Sequence, residues 1–261
     1  MKKVLLLAGL VSSMPALAQD EGKSAWSGES ELGFSSERGN TNEDNLLFKQ
    51  KIAYEQGKWL NTFNGTAENK QTKVKLTDDA GVETEENVRT AEEYFLKNKL
   101  DYFFTDQTYG FVRLSWEKDR FSGFENQASE VVGLGYSFFP KDDTLTLKLE
   151  LGAGQRQDEW DDRLEEDLEN DIIPGQTQDQ NIAFFSDEFV WKFSEGAELG
   201  QSLNVEYGKD NTVSRFEVYT KAQLVAALSM KVSYEIKYTD VVPQDTEDKD
   251  TKLNVSLLYS F

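Results

Sequence analysis

Thr251–Phe261, TKLNVSLLYSF, is the stretch whose reading decides the fold. Leu253, Val255, Leu257, Tyr259 and Phe261 alternate with Lys252, Asn254, Ser256, Leu258 and Ser260. Successive side chains of a strand point to opposite faces, so a period of two over so many residues marks a half-buried β-strand. The apolar face runs into the final residue, and that residue is aromatic.

The same period recurs upstream. Met230, Val232, Tyr234, Ile236 and Tyr238 oppose Lys231, Ser233, Glu235 and Lys237, and Leu145, Leu147, Leu149 and Leu151 oppose Thr146, Lys148 and Glu150. Val112, Leu114 and Trp116 stand against Arg113 and Ser115, and Leu199, Leu203, Val205 and Tyr207 against Ser202, Asn204 and Glu206. About twelve such segments can be marked, with ten to fourteen as the range. The expected fold is therefore all-β, an antiparallel transmembrane β-barrel of about 12 strands, because only a closed sheet satisfies every backbone group in hydrocarbon. A soluble sandwich shows the same alternation, and three further features separate the two.

The first is the rhythm of the connections. Glu37 to Asp44, Gln71 to Thr90, Lys118 to Ser129, Arg156 to Gln178 and Asp240 to Asp250 read as long links. Gln56-Gly57-Lys58, Thr105-Asp106-Gln107, Pro140 to Asp143 and Ser194 to Ala197 read as short ones. Long external loops alternating with tight periplasmic turns are the plan of an outer-membrane barrel, with both termini periplasmic. Gly208 to Asn211 is short for that plan, and the turn near Ala227 is weakly marked.

The second feature is aromatic placement. Tyr54, Trp59, Tyr102, Tyr109, Phe138, Phe139, Trp191, Phe193, Tyr259 and Phe261 flank the expected periplasmic turns or terminus, as in an interfacial girdle. The third is charge. The six expected outer connections hold 25 acidic and 10 basic residues. Inward strand positions are nearly balanced and include Glu31, Lys49, Lys51, Lys97, Lys99, Asp101, Arg113, Glu150, Glu217, Lys221, Glu235 and Lys237. A balanced lumen can knit itself together with ion pairs, whereas a selective pore uses a ring of one sign.

Export is written at the start. Lys2 and Lys3 precede the apolar run Val4 to Val11, and Ala16-Leu17-Ala18 is a small-x-small cleavage site, so residues 1–18 read as a signal peptide and 19–261 as the barrel domain. The run is too short to cross a bilayer. In an exported chain, a closing strand that ends in Tyr259 and Phe261 resembles the signal read by the outer-membrane barrel assembly machinery. A Gram-negative outer membrane is the expected location.

A formal charge of −20 over 261 residues, −22 without Lys2 and Lys3, argues against nucleic acid, which needs clustered Lys and Arg. It favours cations, or lipopolysaccharide reached through bridging cations. The chain has no Cys and no His, which removes disulfides, thiol chemistry, Ser-His triads and His metal ligation. A carboxylate pair can still hydrolyse glycosides, but 48 acidic residues offer countless accidental pairs. No enzyme, no cofactor and no catalytic, cofactor-binding or metal residues are assigned.

The densest local feature is Asp158 to Asp171, DEWDDRLEEDLEND, with nine acids. Oxygen ligands at this density can hold Ca²⁺ or Mg²⁺ weakly, although the spacing is not that of an EF-hand. Trp160, Leu164 and Leu168 recur every four residues, which predicts a short amphipathic helix over the barrel mouth as the alternative.

Trp26, Gly28, Leu32, Gly33 and Phe34, then Arg38-Gly39-Asn40-Thr41-Asn42, Leu47, Phe48, Lys49 and Ala53-Tyr54-Glu55 resemble the start of the YdiY-like salt-induced outer membrane proteins. That family is a domain of unknown function. The resemblance implies the compartment, the barrel and a link to salt or osmotic stress, and it brings no site residues. Two roles follow as expectations. One is a small monomeric pore admitting cations or small solutes. The other is a plugged barrel whose acidic loops meet lipopolysaccharide through divalent cations, or a surface partner.

Overall fold

Backbone pairing in the structure, a computed structural model, runs without a free edge. Described are residues 25–37, 43–77, 83–120, 122–166, 172–243 and 247–261, of which 35–37, 43–44, 72–77 and 83–91 by backbone alone. The expected signal segment 1–18 and the Arg38-Gly39-Asn40-Thr41-Asn42 motif lie outside them. The strands are β1 Trp26–Glu37, β2 Glu43–Gln56, β3 Trp59–Thr77, β4 Glu83–Phe103, β5 Thr108–Asp119 and β6 Phe124–Ser137. They continue with β7 Leu145–Trp160, β8 Thr177–Ser194, β9 Ala197–Gly208, β10 Val213–Val225, β11 Leu228–Thr239 and β12 Lys249–Ser260. Each is hydrogen-bonded to its chain neighbours, and β1 pairs antiparallel with β12, closing a twelve-stranded barrel. Among the described residues no helix is long and apolar enough to cross a membrane.

The C-terminal strand closes the seam. Leu32 faces Leu257 and Gly33 faces Ser256. Past the end of β12, Phe261 accepts from the Gly28 amide at 2.9 Å and donates back to Gly28 at 3.0 Å. Its ring lies where a Cβ on Gly28 would stand, so a side chain there would displace the terminal aromatic.

Tight turns and both ends of the sheet gather at one rim, here called the turn end. Gly57, with φ +62°, makes the two-residue turn from β2 to β3. Between β6 and β7, Asp142 Oδ1 accepts from the Thr144 amide at 2.8 Å, the Thr144 hydroxyl at 2.7 Å and the Leu145 amide at 3.0 Å. The Thr144 hydroxyl first, then the two amides, hold the Asp142 carboxyl below the usual carboxylate range. A depressed folded-state pKa means that the turn's support is present above the ordinary carboxylate value and lost as pH falls through the lowered one. The Thr144 and Leu145 amide NMR signals should therefore titrate together below the usual carboxylate range, and Asp142→Ala should abolish the step. A step at the ordinary value would contradict this cap.

The outer face is apolar between two aromatic rings. At the turn end Trp26 packs on Tyr54 at 4.6 Å, Trp59 on Tyr102 at 4.7 Å, Trp191 on Phe193 at 5.7 Å and Tyr259 on Phe261 at 6.2 Å. At the other rim, the loop end, Phe34, Tyr94, Tyr207 and Tyr238 are exposed. Trp26 to Phe34 and Tyr102 to Tyr94 each span eight residues. At about 3.3 Å per residue and a tilt of about 40°, that separates the rings by about 20 Å, close to the apolar band of about 25 Å of an outer-membrane barrel. The barrel is built to span a membrane.

Three polar pairs interrupt this belt. Ser30 donates to Gln50 at 2.7 Å, Asn61 and Asn98 exchange amide bonds at 3.2 Å, and Asp187 pairs with Gln201. Asp187 stands between Leu149 and Leu203 on the outer face, four residues from Trp191. A carboxylate facing lipid opposes insertion, so Asp187→Leu should raise the unfolding free energy in lipid vesicles by about 1–2 kcal/mol. A loss on denaturant titration would show that the bond to Gln201 outweighs the cost of facing lipid.

Three expectations change. The strands β3 and β4 continue well into the segment read as the Gln71 to Thr90 loop, and β6 and β12 likewise begin inside expected loops. These extensions are rich in polar and charged residues, with at most a short apolar alternation such as Val74 and Leu76, so hydropathy could not mark them as strands. Tyr109 does not belong to the girdle: it is buried in the bore, donating to Glu150 at 2.8 Å. Residues 161–166 are irregular, with one turn at 162–163, where the alternative expectation places an amphipathic helix; Trp160 ends β7, and Leu168 lies outside the described residues.

Candidate functional site

Alternation sends the charged face of every strand into the bore, and the inward residues named from the sequence all meet there. Their arrangement differs along the axis. In the half toward the turn end they surround a cavity of about 480 Å³. In the half toward the loop end they close on one another, leaving a void of about 20 Å³ around Phe95, Glu117, Arg156 and Arg215.

The closed half turns on Glu117. It accepts from Arg215 of β10 and from Lys237 of β11, the latter at 2.6 Å. In the order of the closed sheet β5 and β11 are six strands apart out of twelve, so this tie runs between opposite walls. Arg113 donates to Glu206 at 2.7 Å, four strands away, and Ser129 adds a bond to the same carboxylate at 3.1 Å. Lys252 reaches Glu68 at 2.8 Å and also Glu93. Arg156 and Gln127 hold Asp158 at 2.8 and 2.9 Å. Guanidinium planes add to this layer, with Arg113 4.9 Å from the Phe184 ring centre and Arg215 5.2 Å from that of Phe95.

Above this layer a hydrophobic cluster ties loop-end segments together. Phe124 and Trp160 stack at 4.3 Å around the fully buried Ile172, with Leu164 and Val241 against them. Asn211, also buried, bonds both the N–H and the C=O of Val241 at 3.2 Å, and Gln180 brackets Asn211 from β8. Arg163 hydrogen bonds hold the Asp161 carboxyl below its usual range. Of the acidic segment, Asp158 is thus inside the barrel and Asp161 is tied to Arg163. Among the described residues no group of three or more acids could hold a metal ion.

Around the cavity, pairing is nearly complete. Lys49 pairs with Glu235 at 3.4 Å, Lys99 with Asp101 at 3.1 Å and with Glu150, and Lys148 with Glu188 at 3.0 Å. Lys221 bridges Glu29 at 3.1 Å and Glu198 at 2.9 Å, and Lys231 bridges Glu31 at 3.3 Å and Glu217 at 2.9 Å. One wall is apolar, formed by Tyr109, Phe111, Val131, Ile182 and Phe184. Their rings fit because Gly133, Gly135 and Gly152 leave the facing inner surface bare.

Sequence alternation placed Arg113 and Lys237 on inward faces and Glu206 on the polar face of its strand, but it singled out neither Glu117 nor Arg215 and could not say which residues met. That depends on which strands stand opposite one another, and only closure at twelve fixes it. Asn211 carried no sequence signal, since a loop asparagine is ordinary.

The family described as "Protein of unknown function, DUF481" matches residues 30–261. No curated protein matches the chain. Among solved structures, the NanC porin is 8% identical, covers 90% of this chain and 98% of its own, and has a TM-score of 0.45. An outer membrane channel from Pseudomonas putida F1 is 11% identical over 90% and 94% of the two chains at 0.47. The translocator domain of the autotransporter NalP from Neisseria meningitidis is 12% identical over 93% and 90% at 0.45. Closed sheet and lipid-facing belt make this protein an outer-membrane β-barrel.

Proposed function

We propose that the chain, which belongs to the DUF481 family of proteins of unknown function, is an outer-membrane barrel closed at rest. In this reading its loop end is outside the cell and its termini are periplasmic. The observation that carries it is the tie from Glu117 to Arg215 and Lys237 across the bore, beside the Phe124, Trp160 and Ile172 cluster at the loop end. A wide aqueous path would leave these side chains hydrated and apart. Residues 1–18 act as the export signal, and the strand ending in Tyr259 and Phe261 engages the assembly machinery. The monomer's acidic loops meet lipopolysaccharide through Ca²⁺ or Mg²⁺, or a surface partner. The reading includes no catalysis, no cofactor and no nucleic acid.

The cavity of about 480 Å³ favours a second reading, a small pore for cations or small solutes linked to salt stress, because half a path is already present. Planar-bilayer recordings of refolded protein under a KCl gradient, with and without Mg²⁺, distinguish the two. Resting closure predicts long silence at low salt from protein shown to be inserted. Steady cation-selective steps from the first insertion would refute it and support the pore.

A further inference from the structure

We infer that the cavity at the turn end carries a binding site for a small oxyanion, a phosphate or a small carboxylate, held by Lys51 and Lys97. Eight cationic side chains and six inward carboxylates line the cavity, Asp187 being on the outer face. The other six cations each have an acidic partner, given above for Lys49, Lys99, Arg113, Lys148, Lys221 and Lys231. Among the described residues Lys51 and Lys97 have none. A chain with a formal charge of −20 thus holds, at one place inside its bore, two ammonium groups that take part in no ion pair.

Position makes the two a pair. Asn64 of β3 is the register partner of both Lys51 on β2 and Lys97 on β4, so the three stand side by side at one level of the wall. Two strand spacings put the lysine backbones about 10 Å apart, and flexible ammonium stems close on an anion between them with the Asn64 amide beneath. Among the described residues no carboxylate pairs with Lys97. Its electrostatic neighbours are the cations Arg113, Lys99 and Lys51 against Glu150 and Glu217, and those two carboxylates already hold Lys99 and Lys231. Arg113 Nε is a buried donor without a partner, so the same region has unused donor capacity as well as unused charge. An ammonium group in a confined, partly desolvated space is costly without a counter-charge in contact, and here, among the described residues, no side chain makes an ion pair with either lysine.

The site does not depend on whether the bore conducts. It is read by binding, so silence or current in a bilayer leaves it untouched. The full mature chain in detergent micelles would be titrated calorimetrically with inorganic phosphate, with succinate and with Mg²⁺ at fixed ionic strength. Saturable, near-stoichiometric uptake of one or both anions is expected, and the preferred anion tells the two sources apart. Lys51→Gln and Lys97→Gln should each weaken binding about tenfold or more, the usual size of one charge-assisted hydrogen bond. Lys97→Arg should retain it. Because neither lysine holds a carboxylate, the neutral variants strand no buried charge, and heat-modifiable gel migration verifies that they remain barrels. Non-saturating uptake, uptake equal in all variants, or saturable binding of Mg²⁺ alone would overturn the site.

Discussion

Glu117→Ala is expected to lower the unfolding free energy by about 3–5 kcal/mol on denaturant titration in lipid vesicles, and to open the bore. Breaking a buried ion pair from one side leaves its partners charged and desolvated, which costs far more than the pair contributes. Here two partners are left, Arg215 and Lys237, both held against Glu117 from the facing wall. Glu117 itself is only 4% exposed, so water cannot take over its role without entering the layer. Removing all three charges together, as Glu117→Leu with Arg215→Met and Lys237→Met, should cost much less than Glu117→Ala alone, since no ion is stranded. The two variants part in conductance as well. In Glu117→Ala, Arg215 and Lys237 repel, admit water and should produce current where the parent is silent, whereas the apolar triple replacement stays closed. A loss below about 1 kcal/mol for Glu117→Ala, or no difference between the variants, would mean that the layer neither holds the walls together nor blocks the bore.

The physical reason that Glu117 escaped sequence reading also explains how much of this protein was legible. Alternation is a local property, so Thr251–Phe261, Met230–Tyr238 and the leucines from Leu145 to Leu151 announced their strands, and the short turns announced antiparallel order. Twelve such strands imply closure, and closure implies an inside. Which inward residue meets which is a non-local fact. It depends on the register at eleven hairpin pairings and one seam, and a shift by two residues in any of them would keep every side chain on its face while changing its partner. Lys49 and Glu235 were both placed inward from the sequence, but their contact is a product of the whole circuit. The lack of an ion pair at Lys51 and Lys97 is of the same kind. A balanced lumen by count became, once the partners were known, a paired lumen in which, among the described residues around the cavity, these two lysines touch no carboxylate. The helix offered as the alternative reading of Trp160, Leu164 and Leu168 is absent from the described residues 160–166 for a local reason. Leu164 does pack at the mouth, but Trp160 reaches it as the last residue of a strand, and a spacing of four does not distinguish the two routes.

Glycine substitutions should divide sharply by what stands in the way, and Gly154→Ala should be the most damaging. A Cβ on Gly154 would run into the Glu130 carbonyl oxygen and lie 2.9 Å from both the Glu130 carbonyl carbon and the Val131 Cα. All three are backbone atoms of β6, and they cannot rotate aside. The only relief is to push β6 and β7 apart where Gly154 pairs with Val131, which breaks ladder bonds inside a closed sheet. A loss of about 3 kcal/mol is expected, the upper end for overpacking. Gly135→Ala meets the Tyr109 ring instead, and a ring can swing. Its cost should be smaller and should appear with loss of the Tyr109 bond to Glu150, visible as a changed tyrosine fluorescence or ultraviolet absorption. Gly65→Ala has only Leu96 and Phe63 side-chain atoms at 3.5 Å or beyond, ordinary contact on the lipid face, and should stay within about 0.5 kcal/mol of the parent. Unfolding titrations of the three variants test the order. If Gly154→Ala proved as mild as Gly65→Ala, β6 and β7 would have to be farther apart than described, and the packing of Phe111 and Val131 against that wall would fall with it.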